Sequence, residues 1–138
     1  MKNLILTVFA TLMLVAISNS QTLQKGNLVG THVMTVTLNP GVTMEQFLDF
    51  QTKKVFPVYE KYYTGWKFYI VKSIRGEIKD SYGMIMVIKT EKERDKYYNP
   101  DGSHTKLGTE AMDKCKSIVD ESNKLGTYTT TYTDWLVQ

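Results

Sequence analysis

Apolar and polar residues alternate from position 31 to 38, with His32, Met34, Val36 and Leu38 on one side and Val33, Thr35 and Thr37 on the other. A period of two predicts a β-strand, and Asn39-Pro40-Gly41 ends it with turn chemistry. The period then lengthens. Met44, Phe47, Leu48, Val55, Val58, Tyr59 and Tyr62 recur at helical spacing, behind Thr43 and Gln46 as the two halves of a capping box. Pro57 lies inside this run, and its missing backbone donor predicts a kink or a split into two helices. Residues 66–75 and 82–89 read as strands, and the short polar turn between them predicts an antiparallel hairpin. Thr90 and Glu93 form a second capping box, opening a short helix to residue 98, and Asn99-Pro100-Asp101-Gly102 follows as a turn. Met112, Cys115, Ile118, Val119 and Leu125 place a helix over residues 109–125, stopped by Gly126. The β-branched and aromatic residues 127–137 make a last strand.

The order β-α-β-β-α-β predicts an α+β, ferredoxin-like fold, with a four-stranded antiparallel sheet and its helices on one face. Water on the other face would leave one side of every strand polar. Instead Tyr69, Val71, Ile85, Val87, Trp135 and Val137 make that side apolar too. A patch of this kind marks an interface, and two such sheets packed face to face would form a twofold homodimer.

The N-terminal end reads as a secretory signal peptide over residues 1–20. Lys2 gives the charged start, residues 4–17 the apolar stretch, and Ser18-Asn19-Ser20 the small residues of a cleavage site. At about 1.5 Å per residue that stretch makes about 21 Å of helix, short of the roughly 30 Å hydrocarbon core. Cleavage is therefore expected, with no stable membrane anchor left and the mature chain secreted or periplasmic. Residues 21–30 are expected as a flexible lead-in, and residues 31–138 as one domain.

With 42% hydrophobic and 22% charged residues, the composition is that of a globular protein. The formal charge of +3 is spread without a Lys/Arg block, which argues against a nucleic-acid partner. The one cysteine, Cys115, excludes an internal disulfide. Its place on an apolar helical stripe reads as a small buried hydrophobe.

The His32-Val33-Met34-Thr35-Val36 strand, the Pro57-interrupted helix, Tyr63-Thr64-Gly65-Trp66, Tyr97-Tyr98 and Tyr132-Thr133-Asp134-Trp135 together resemble the dimeric α/β-barrel superfamily. That superfamily includes stress-responsive α/β-barrel proteins and antibiotic-biosynthesis-type monooxygenases. The resemblance runs over residues 31–138 and implies the dimeric barrel fold. It permits, without requiring, a cofactor-independent oxygenase. Haem-degrading members place their ligating His on a helix, and neither predicted main helix here contains one.

Five residues stand out as ligand-pocket candidates: His32, Trp66, Tyr69, His104 and Trp135. His32 is a lone imidazole on an apolar strand face, suited to bracing the fold or to orienting a ligand. His104 sits in a Ser/Gly loop that could hang over a pocket entrance. Trp66, Tyr69 and Trp135 belong to an aromatic supply that also includes Tyr59, Tyr63 and Tyr98, and pockets are built from such side chains. Two histidines on different elements make no metal site, and no motif calls for a cofactor. Few titratable groups converge in the sequence. The expectation is a non-catalytic module binding a small apolar molecule; the alternative is a small-molecule enzyme, such as a cofactor-independent monooxygenase, using the barrel cavity.

Overall fold

The computed structural model of the chain describes residues 22–138, and the expected leader, residues 1–20, lies outside them. Strand β1 (Leu28–Leu38) leads into a continuous helical run: α1 (Met44–Phe50), one π turn (Gln51–Val55) and α2 (Phe56–Tyr62). Strands β2 (Trp66–Lys72) and β3 (Tyr82–Ile88) follow, then α3 (Glu91–Asp95), α4 (Lys106–Asn123) and β4 (Gly126–Leu136). The strands form one antiparallel sheet in the order β2-β3-β1-β4. The architecture is α+β, an open four-stranded antiparallel sheet with helices, compatible with a ferredoxin-like fold.

Strand β1 starts at Leu28, inside the segment expected as lead-in. Leu28 and Val29 pair with Ile88 and Val87 on one side and with Leu136 and Trp135 on the other. Gly30 interrupts the alternation, because a residue without a side chain belongs to neither face.

Thr43 caps α1 as its spacing predicts. Its hydroxyl accepts from Gln46 N at 3.2 Å while Gln46 Oε1 accepts from Thr43 N at 2.8 Å. Pro57 does not split the helix. Lys53 loses the N–H that would have bonded its carbonyl, and the backbone widens just before the proline, with Phe56 N–H reaching back to Gln51 O. At α3 only half of the second capping box forms. Thr90 Oγ1 accepts from Glu93 N at 3.2 Å, but the Glu93 carboxylate is taken by Lys96 Nζ at 2.7 Å. Helix α4 begins at Lys106 rather than residue 109, capped by Thr105, whose hydroxyl accepts from Gly108 N at 3.1 Å. That first turn carries an exposed Leu107, so no inward stripe announces it. Gly108 is required there, since a Cβ would lie 2.1 Å from the carbonyl oxygen of Tyr97.

Even-numbered strand residues face the helices. One cluster gathers Tyr63, Trp66, Ile88, Tyr97 and Cys115, and another Met34, Phe47, Val55, Phe56 and Met84. Cys115 is fully buried, and burial pushes its thiol pKa up, which keeps it protonated. The π turn is tied to α4 by a buried hydrogen bond, Gln51 Nε2 donating to Ser122 Oγ at 2.6 Å.

The odd-numbered face divides along its strands. Toward β2 it is apolar, with Val71 39% exposed; along β1 and β4 it is a ladder in which Thr35 faces Thr129 and Thr37 faces Thr127. Trp135 also stands on this face, 58% exposed. The charge at a position of this face, Lys67, pairs instead with Glu60 of α2. Glu60 Oε1 also accepts from the edge-strand amide Phe68 N at 3.2 Å. An acidic clasp of this kind covers part of an edge that would otherwise invite strand addition. Among the described residues, no helix is long and apolar enough to cross a membrane.

Candidate functional site

Between the helical run and the sheet lies a cavity of about 350 Å³. Alternation places its floor: Phe68 and Met86 sit in register on β2 and β3, with Met84 one step along. The helical run supplies the opposite wall through Phe56, Tyr59 and Tyr63. Tyr59 Oη lies 3.8 Å from the Met112 sulfur of α4. The walls are therefore apolar and aromatic, as in most small-molecule sites.

Polar groups gather at two places on these walls. Toward β4 are His32, Thr130, Tyr132 and Asp134. The His32 ring stacks on Tyr132 with centroids 5.3 Å apart, and its Nδ1 lies 3.4 Å from Thr130 Oγ1. Gly30, paired with Asp134, lets Asp134 and His32 come close, since an added Cβ would lie 3.0 Å from Asp134 Oδ1 and 3.3 Å from His32 Nε2. At the second place are Tyr63, Trp66, Tyr98 and Arg94. The Tyr63 ring lies 5.4 Å from Trp66 and 6.5 Å from Tyr98, and the Arg94 guanidinium stands 5.6 Å over the Tyr98 ring.

Three buried side-chain polar atoms among the described residues have no hydrogen-bond partner: His32 Nε2, Tyr63 Oη and Trp66 Nε1. All three belong to residues of the cavity wall. Tyr63 is 1% and Trp66 5% exposed. A buried donor without a partner costs about 1–3 kcal/mol, and natural cores rarely leave one so.

Burial sets the charge states. It raises the phenol pKa values of Tyr59 and Tyr63 far above the ordinary range, helped by neighbouring phenols, and raises that of Tyr98, which Tyr63 and Arg94 partly offset. All three stay neutral and able to donate. Burial lowers the His32 pKa, with the Asp134 carboxylate partly opposing, so the imidazole is neutral at pH 7.

Of the five residues singled out from the sequence, His32 and Trp66 line the cavity. Tyr69 and Trp135 stand on the opposite face of the sheet, and Trp135 Nε1 donates to Thr31 Oγ1 at 3.0 Å. His104 is exposed and lies against Tyr98, with ring centroids 4.8 Å apart and planes tilted by 40°, and it is not part of the cavity wall. Arg94 and Asp134 were not singled out. Arg94 belongs to the run Glu91–Lys96, which reads as a solvated helix face, and Asp134 reaches the cavity only through the β1–β4 register. Among the described residues, no three His, Cys, Asp or Glu side chains gather where they would hold a metal ion. The sequence matches no model of a known protein family, and no curated protein matches it.

Proposed function

We propose that this chain is a small-molecule-binding module that holds a compact, mostly apolar ligand between its sheet and its helices. The observation that carries this reading is an apolar, aromatic cavity of about 350 Å³ whose lining includes the three residues that hold buried, unpartnered polar atoms. The volume sits at the small end of ligand pockets, which suits a molecule of one or two rings rather than a long lipid chain.

We also propose that the module is exported and dimeric. The charged start, short apolar stretch and small-residue cleavage site of residues 1–20 support export. Val33, Tyr69, Val71 and Trp135, exposed on the helix-free face, support a dimer packed sheet to sheet in the manner of dimeric α/β barrels. Native mass spectrometry of protein isolated from its own cells tests both proposals. The expected result is a dimer carrying an added mass that leaves on denaturation. A chain with no added mass overturns binding, and a monomer overturns the dimer.

One observation favours a catalytic reading beside this one. A neutral imidazole with a free Nε2 next to a carboxylate can accept a proton from a bound substrate, as an oxygenase without a cofactor would need. Turnover lost in His32→Asn with ligand binding retained would support it.

A further inference from the structure

We infer that the ligand is an organic acid whose carboxylate, or an equivalent anionic oxygen, is received by Arg94, Tyr63 and Trp66. The inference rests on the cavity being a ligand site and names the chemistry of that ligand.

The polar groups at this end of the cavity are nearly all donors. Trp66 Nε1 can only donate, is buried and has no partner. The Tyr63 hydroxyl makes no close hydrogen bond and has only a loose contact with the hydroxyl of Tyr98, which also lines the cavity. Among the described residues, Arg94 is the only Lys or Arg on the cavity wall. Its recorded bonds all run through Nη1 and are long, 3.3 Å to Asp95 Oδ1 and 3.4 Å to Asn99 O. A guanidinium has five N–H groups in a fork that fits a carboxylate, so most of its donors are uncommitted among the described residues.

A neutral ligand would answer one or two of these donors. An anion with two acceptor oxygens answers the indole, the phenol and the cation together, in a site shielded enough for charge-assisted bonds to be short and strong. Among the described residues, the one acidic residue of the cavity wall, Asp134, belongs to the β4 end with His32. The polarity of the site therefore runs one way: anion at Arg94, apolar rings over Phe68 and Met86, and any hydroxyl of the ligand toward Asp134 and His32.

The test uses two isosteric probes, 2-naphthoate and 2-naphthamide, titrated into the protein by calorimetry. The naphthoate is expected to bind at least about tenfold more tightly than the amide. Arg94→Gln should remove most of that preference while leaving the amide unchanged. Tyr63→Phe should weaken the naphthoate while lowering the melting temperature only slightly, because the hydroxyl it deletes has just a loose contact with Tyr98; this variant serves if Arg94→Gln does not fold. Equal affinity for both probes, or a preference that survives Arg94→Gln and Tyr63→Phe, overturns the anion assignment and leaves the cavity standing. Binding of neither probe overturns the cavity as a ligand site, and the anion assignment with it.

Discussion

Gly30 and Asp134 oppose each other across the β1–β4 pair, and the Cβ that Gly30 lacks would lie 3.0 Å from Asp134 Oδ1 and 3.3 Å from His32 Nε2. A carboxylate and an imidazole thus converge on a gap slightly narrower than a methyl group. Filling that gap with Gly30→Ala should leave stability within about 1 kcal/mol. Alanine suits a strand better than glycine, and the atoms it would meet, including Met86 Cε at 3.2 Å, are ends of movable side chains. Ligand retention should nevertheless drop, because the methyl group takes the space between the two polar groups. Thermal melting and native mass spectrometry on the same variant check both halves; unchanged retention would exclude this end from the site.

His32 should make stability depend on pH. Burial sets its folded-state pKa below the ordinary 6.5, so between those two values the unfolded chain carries a proton that the folded chain does not. Stability then rises with pH through that window. The contribution is complete above about pH 6.5 and is lost as pH falls toward the folded value. Melting temperatures at pH 5 and pH 7.5 should differ more for the unaltered protein than for His32→Asn. Equal differences would mean that the imidazole is not desolvated.

The dimer is best probed at Val71. Val71→Asp puts a charge on the apolar half of the helix-free face at a position that water already reaches in a single chain, so the monomer fold should survive. Light scattering should give twice the chain mass for the unaltered protein and the single mass for the variant. Val87→Asp is a poorer probe: at 5% exposure that residue is part of the chain's own interior, and the change should unfold it. An unaltered protein that is monomeric at micromolar concentration would remove the face-to-face arrangement.

The buried Gln51–Ser122 bond should be costly to break from one side only. Ser122→Ala leaves the Gln51 amide without its acceptor in the interior, at a cost of about 1–3 kcal/mol. Adding Gln51→Met removes the stranded amide and should recover much of the loss. Denaturant unfolding of the two variants reads the difference directly.

Much of the fold was legible because its signals are local. Periodicity marked every strand face, and Thr43 with Gln46 marked the start of the first helix. The failures were also local. Gly30 hid the first turns of β1, and Leu107 and Gly108 hid the first turn of α4, because neither stretch carries an inward apolar pattern. Of the candidate site, only part of the cavity lining was legible. His32 and Trp66 declare themselves by type and strand position. Asp134 reaches the cavity through a pairing register that a single strand does not reveal, and Arg94 is masked by the charges flanking it. Tyr69 and Trp135 looked equally suited to a pocket, yet one step of strand parity sends each to the other side of the sheet.

The π turn at Gln51–Val55 holds one residue more than the α-helical turn it replaces. Each residue advances a helix by about 100°. Excising one residue there would restore an ordinary helix and swing α2 by about that angle, taking Tyr59 and Tyr63 off the cavity wall together. The strand pairings and the caps of α1, α3 and α4 would keep their residues, while both core clusters would lose the members that the helical run supplies, Phe56 and Tyr63 among them. The aromatic wall is thus placed by the length of the chain between two fixed points, so the pocket can be redrawn by a change in residue number at a segment whose side chains scarcely enter it.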